Sequence, residues 1–393
     1  GPVMYGLVLT VSVFYMFIFL AAEMTAITGA LQLIAGVPPW QTATVIGGFV
    51  VIYTAYGGLV ASIFTDAVQT LVLLPLLAVS FGAAVVSLGG VGELYATAMA
   101  TDPSLLDPGY RPGLEFGLYV VFAVLGANML NQGMWQRVYA ADGESTLRRS
   151  FGIAGLTVIP MVLLSGLFGV AAAGLGLSSA DTAGISFFLV VTEALPAAIA
   201  VAVVLLAVLL VMSSADTMLN AISSLVTVDV ARLVEGKDDR TLRLTGQALT
   251  AAVAVGAVFI GAQQYGVLPL FLTADLLGAA VFVPLIAGLY SGELTEGGAL
   301  AASIAGLIVG ITYFPTLRGV VAAVPGASGV LPEPAFLPAF LGATLISAAV
   351  TAVAIVVGND AFAFESLTTE IRSFDAPSES SADGSAAASE LSD

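Results

Sequence analysis

The chain has 393 residues, 59% of them hydrophobic and only 9% charged, with a mean hydropathy of +1.04. A soluble domain carries about 25% charged residues, so a soluble enzyme and a disordered chain are both excluded. Ten Lys and Arg stand against 27 Asp and Glu, a net charge of −17 with no Cys and no His, which removes thiol and imidazole chemistry and argues against a nucleic-acid partner.

Apolar segments of some 20 residues recur almost from end to end, the pattern of an all-α polytopic membrane protein in a lipid bilayer. Polar and Gly/Pro clusters divide the chain into about ten transmembrane helices near 4–36, 40–56, 59–88, 116–138, 146–176, 196–232, 243–263, 268–291, 297–315 and 335–358. A shorter amphipathic helix is expected at 182–194. The first segment carries one ionisable residue, Glu23, and is long enough that it must tilt or bend in a bilayer about 30 Å thick. Residues 1–30 lack the basic start of a signal peptide, and the missing initiator Met points to further sequence upstream of Gly1. The multi-pass pattern places the chain in the plasma membrane.

Arg137, Arg148 and Arg149 fall in one short loop and Arg232, Lys237, Arg240 and Arg243 in another. Both loops are expected on the cytoplasmic side, with 89–116, 177–195 and 316–335 outside. The tail 359–393 holds eight acidic residues and one Arg and ends in PSESSADGSAAASELSD, too small and polar to pack, so an acidic disordered cytoplasmic tail is expected. The remaining acids are spread over loops, as on a protein adapted to high salt.

Four carboxylates lie inside apolar segments, where they face a cavity or a partner: Glu23, Asp66, Asp216 and Asp275. Ahead of Asp66 the sequence is Tyr53-Thr54-Ala55-Tyr56-Gly57-Gly58, and the glycine pair allows a tight turn between two helices. Ser62, Asp66, Gln69 and Thr70 then share one helix face. Such a face holds a cation, or the carboxylate stabilises a helix end. In 196–232 the run Met212-Ser213-Ser214-Ala215-Asp216-Thr217 sets hydroxyls and a carboxylate on one stripe with Asn220 and Ser224. Oxygen donors suit a hard cation such as Na+, while small residues also make a packing seam. Segment 116–138 contains Gly126-Ala127-Asn128-Met129-Leu130-Asn131-Gln132-Gly133-Met134-Trp135-Gln136-Arg137, a poor continuous membrane helix. It breaks beside a cavity, or it marks the helix end before Arg137.

Together these stretches resemble the sodium:solute symporter family. YTAYGGLVASIFTDAVQ, NQGMWQRVYAAD and VMSSADTMLNAISSLVTVDV match three of its motifs in order, the last closing on Asp229. The resemblance implies an inverted-repeat, leucine-transporter-like fold: 1–88 as the last three helices of the first repeat, 116–291 as the second repeat of five, and 297–358 as two accessory helices. The first helices of repeat one would be lacking, so the chain as given reads either as an active symporter or as a truncated, inactive one. It also implies Na+ as coupling ion with no other cofactor, and a small-molecule solute as the second partner. Ser213 and Ser214 fall on Na+-site hydroxyls, Leu210 on a backbone ligand, Asp66 on the carboxylate linked to Na+ coupling or release, and Thr217 beside them. Asn131, with Gln132 next to it, falls where sugar-transporting members touch substrate. Those members carry a Lys on the following helix, and 151–170 has no ionisable residue, which argues against a sugar. Trp135-Gln136-Arg137 is reminiscent of urea- and amine-transporting branches. Glu23 and Asp216 are candidates for a proton or ion relay. Three activities follow: Na+-coupled symport by alternating access, proton-coupled transport, or a non-transporting membrane sensor. No paired carboxylates or nucleophile support an enzyme.

Overall fold

In the computed structural model, residues 1–179, 182–233, 239–325, 331–358, 362 and 364 are described, without the side chains at 53, 55–61, 227–233, 239, 242 and 243. The tail expected at 359–393, Phe362 and Phe364 apart, and Lys237 lie outside the described residues, as do the side chains of Tyr53, Asp229, Arg232 and Arg243.

The described backbone is helical with no strand: α1 (Pro2–Ala35), α2 (Pro39–Ser87), α3 (Val91–Thr101), α4 (Arg111–Leu130), α5 (Gln132–Tyr139), α6 (Glu144–Gly174), α7 (Ser186–Ala194), α8 (Ala197–Leu233), α9 (Asp239–Ala262), α10 (Val267–Tyr290), α11 (Glu296–Tyr313), α12 (Arg318–Ala322) and α13 (Phe336–Val357). Among the described residues, nine stretches are long and apolar enough to cross a membrane, with shorter apolar helices at 39–52 and 183–194. α3 was not expected: Glu93 lies in its first turn and its apolar run is short, so 89–116 reads as loop by hydropathy alone.

Two expectations met the backbone differently. Gly57-Gly58 were expected to end one helix, yet α2 is assigned helix over 49 residues. Val50 borders a small cavity with Ala215 and Leu219 of α8, while Ser62 bonds to Asp216 and Thr217 at the same level. Twelve residues of straight helix would separate them by about 18 Å. The helix therefore changes direction between Val50 and Ser62, in the segment holding the glycine pair, without losing its helical assignment. In the second case the polar run in 116–138 does break the helix. α4 ends at Leu130, Asn131 is extended at φ −80°, ψ 94°, and α5 starts at Gln132.

The core is where helices approach closely. α4 crosses α10 at Gly126 and Gly278, where a Cβ on either would come within 2.4 Å of the other's backbone. Only glycine permits that approach. α10 is then held against α13 by Ser347 Oγ donating to the Ala280 carbonyl at 2.8 Å. Gly306 of α11 completes the cluster beside the Ala343 carbonyl. α1 is fixed to α9 where Thr28 Oγ1 donates to the Gly261 carbonyl at 2.9 Å and accepts from Gln264 at 2.7 Å. α6 buries only its final turns, Phe168, Ala171, Ala172 and Gly174; Phe168 meets Phe81 and Phe187 edge-on. The rest of α6 exposes Phe151, Ile153, Leu156 and Leu163, a surface that suits lipid tails rather than water.

Candidate functional site

The three motifs are far apart in sequence and meet at one place, where α2, α5 and α8 converge. Asp66 stands at the centre. One carboxylate oxygen accepts from Ser213 Oγ and the other from the guanidinium of Arg137. The Arg137 side chain also donates to Thr217 Oγ1 at 3.1 Å and to the Gly133 carbonyl at 2.9 Å. Ser62, one turn before Asp66, donates to Asp216 at 2.9 Å and lies 3.0 Å from Thr217 Oγ1. Gln69, on the same face, donates to the Leu209 carbonyl at 3.1 Å.

The sequence folds this way for local reasons. α8 presents Ser213, Asp216 and Thr217 one turn apart on one face. α5 comes close to that face because position 133 is Gly: a Cβ there would sit 2.7 Å from the Thr217 methyl. Asn131 accepts from the Met134 amide at 3.4 Å as the cap of α5, so the short helix is oriented by the break itself. One turn after Gly133, Arg137 then reaches back to the network.

The predicted residues separate into groups. Ser213, Thr217 and Asp66 come together. Ser214, expected beside Ser213 at one ion site, meets the Glu23 carboxylate of α1, about 100° around α8 from Ser213. Leu210 lies in unbroken helix, its carbonyl in the helical ladder with one lone pair to spare. Asp216, read as a possible relay, is buried and accepts from two hydroxyls, Ser62 and Thr217. Of the pair expected at substrate, Gln132 lines a cavity of about 420 Å³ with Trp135, Leu130, Tyr5, Ser12 and Leu225. Asn131 does not line it; its side chain is used as the cap. Trp135 Nε1 donates to the Met129 carbonyl at 2.9 Å, satisfying an acceptor freed by the break. A second cavity of about 1120 Å³ lies at the other end of α1, bordered by Thr25, Gln32, Ile185 and Gln264.

Arg137 is the residue the sequence undervalued. It reads as a topology signal at a loop, and nothing in a linear pattern pairs it with an aspartate 71 positions earlier. Its place at the end of a run of Asn and Gln is the one available hint. Among the described residues no group of three or more His, Cys, Asp or Glu side chains is placed to hold a metal ion.

A family model for the sodium:solute symporter family matches residues 2–306. The spermidine transporter DUR31 of Candida albicans is 24% identical over 313 residues, 77% of this chain and 58% of that protein. The chain thus spans less than two thirds of the length of this curated relative. Among solved structures, a Na+-coupled sialic acid symporter in a substrate-bound, outward-open state, described as revealing a novel Na+ site, superposes with a TM-score of 0.68 at 18% identity. The match covers 90% of this chain and 74% of that one. The leucine-transporter-like fold implied by the motifs is the fold observed, and fold and family are those of multi-pass solute transporters rather than enzymes. The chain belongs to the sodium:solute symporter family.

Proposed function

We propose that this chain carries the core of a Na+-driven symporter that imports a small organic solute across the plasma membrane by alternating access. The convergence of Asp66, Ser213, Thr217 and Arg137 carries the reading. A Na+ ion binds on the hydroxyl face of α8, at Ser213 and Ser214 with the Leu210 carbonyl, and leaves toward the cytoplasm past Asp66. Arg137 is a tethered cation. Paired with Asp66 it holds that carboxylate neutralised when no Na+ is present, and an arriving Na+ must compete with it. Asp216 accepts from Ser62 and Thr217, which ties it into the same hydroxyl network between α2 and α8.

The basic residues at 148–149 and 232–243 favour a cytoplasmic side for their loops, which makes the 420 Å³ cavity at Gln132 and Trp135 the inner vestibule. The 1120 Å³ cavity is the outer one. Residues 1–88 and 116–291 serve as the two repeats that rock against each other, with 297–358 outside them. A potential of 100 mV contributes about 2.3 kcal/mol per charge, a concentration ratio of roughly 50. Trp135-Gln136-Arg137 and the likeness to a spermidine transporter support an amine as the solute.

The test is uptake of labelled spermidine by the purified protein in proteoliposomes with NaCl or KCl outside. Uptake dependent on Na+ and abolished by collapsing the gradient supports the reading. Uptake driven equally by a pH gradient without Na+ would replace it with proton coupling.

A further inference from the structure

Around the 1120 Å³ cavity at the end of α1, the hydrogen bonds run in one sense. Thr28 Oγ1 has a single proton, shared between the carbonyls of Gly261 at 2.9 Å and Thr25 at 3.0 Å. Toward Gln264 it can therefore only accept. The amide nitrogen of Gln264 meets it at 2.7 Å and lies 3.2 Å from the same Gly261 carbonyl. These partners fix which way the amide points, because the reverse would set its oxygen against that carbonyl. Thr25 Oγ1 likewise spends its proton on the Ala21 carbonyl at 2.8 Å. Thr25 and Gln264 both border the cavity. Their donors are turned into the helices, and their acceptor oxygens are what remains for a ligand.

Two features hold the Gln264 oxygen in place and leave it uncovered. Gln264 lies between α9, which ends at Ala262, and α10, which starts at Val267. Its φ of 59° makes it the one non-glycine residue with left-handed backbone among the described residues. A side chain rarely holds that conformation without a local reason. Facing it on α1 is Gly29, which also borders the cavity and where a Cβ would stand 3.1 Å from Gln264 Oε1. Tying α1 to α9 requires the amide nitrogen alone. It accounts neither for the open oxygen nor for a glycine inside a helix that alanine would favour.

The space is large enough for a solute: small-molecule sites run to about 300–1,000 Å³. Among the described residues no charged side chain borders it. Gln32 and Tyr265, both exposed and both bordering the cavity, add an amide and a phenol that can donate or accept. A neutral cavity whose fixed groups accept hydrogen bonds selects a ligand by its N–H donors rather than by its charge alone. We propose that this cavity is a first-contact subsite for an N–H-bearing amine solute, with Gln264 Oε1 as its oriented acceptor and Gly29 as the residue that keeps that oxygen open. The subsite rests on the amine-symport reading above and adds where the solute is first recognised and by which atom.

The experiment measures equilibrium binding of labelled spermidine to the purified protein in NaCl. The competitor is spermidine methylated at every nitrogen until no N–H remains, with the same chain length and a charge on each nitrogen. Wild type is compared with Gly29→Ala, which covers Oε1 while leaving the amide bonds in place, and with Gln264→Gly, which removes the acceptor and accepts the left-handed backbone. In wild type the methylated competitor should bind at least tenfold more weakly than spermidine. Each variant should weaken spermidine at least fivefold and leave the methylated compound unchanged, a difference that a general loosening of the fold would not produce. Should neither variant elute as a folded protein, the two ligands on wild type decide. Equal binding of the two ligands, wild-type spermidine affinity in folded Gly29→Ala, or no spermidine binding to wild type would each overturn the subsite. Na+-driven spermidine uptake in the presence of either of the first two results would leave the symport reading standing. The predicted ligand preference without any Na+-driven uptake would support the subsite and remove the symport reading instead.

Discussion

Replacing Arg137 with Gln isolates the tethered cation. The guanidinium holds Asp66, Thr217 at 3.1 Å and the Gly133 carbonyl at 2.9 Å, and the paired side chains are 28% and 32% exposed. A Na+ ion seated between Ser213 and Asp66 would lie on the order of 5 Å from that positive charge. With an effective dielectric of about 20 the repulsion is roughly 3 kcal/mol, and exposure of about a third brings it nearer 1–1.5 kcal/mol. That corresponds to about a tenfold change in an equilibrium constant. Arg137→Gln is therefore expected to lower the half-saturating Na+ concentration about tenfold. It should also slow turnover, because the guanidinium no longer returns to Asp66 as Na+ leaves. Asp66→Asn should act in the opposite sense, raising the Na+ requirement and leaving a positive charge at the site. The assay is the initial rate of solute uptake against Na+ concentration, with folding checked by monodisperse elution. An unchanged or higher half-saturating concentration in folded Arg137→Gln would refute competition between Na+ and the guanidinium.

Three further outcomes follow from the same geometry. The double variant Ser213→Ala, Ser214→Ala should raise the Na+ concentration for half-maximal uptake several-fold, and identical Na+ dependence would remove the α8 hydroxyls as ligands. Gly278→Ala sets a methyl 2.4 Å from the Ala127 amide and the Gly126 carbonyl carbon; a cost of about 1–3 kcal/mol is expected from such overpacking, read as a lower melting temperature in detergent. Asn131→Ala removes the cap of α5 and should cost about 1 kcal/mol. Because α5 carries Arg137 to Asp66, this variant should also shift Na+ dependence toward that of Arg137→Gln, whereas a loss of stability alone would mean that the cap does not position the arginine.

Much of this architecture is written in the chain, and the gaps have physical causes. The spans are legible because apolar runs of bilayer length are a strong signal. The break at Asn131 is legible because Asn, Gln and Gly gathered in eleven residues cannot continue a membrane helix without a cavity. α3 escaped notice because it is too short and too polar to register as a span. The glycine pair at 57–58 correctly marks a change of direction but not a loss of helix, since glycine permits a bend as readily as a stop. At the site, helical spacing places Ser213, Asp216 and Thr217 on one face of α8. It does not reveal that Ser214 turns to Glu23, because neighbours on a helix diverge by about 100° and which side each meets depends on the packing of α1 and α2. The Asp66–Arg137 pair is wholly tertiary. Its two residues belong to separate motifs, and only the small side of α5 at Gly133 lets them meet.

The central claim is that a Na+ gradient drives solute uptake through this protein. The most direct measurement is uptake of labelled spermidine into proteoliposomes at equal pH on both sides, with an inward Na+ gradient imposed and then dissipated by a Na+ ionophore. The account predicts accumulation above the equilibrium level that collapses when the ionophore is added, and that is absent when K+ replaces Na+. Accumulation of the same size with K+ in place of Na+, or unaffected by the ionophore, would contradict it.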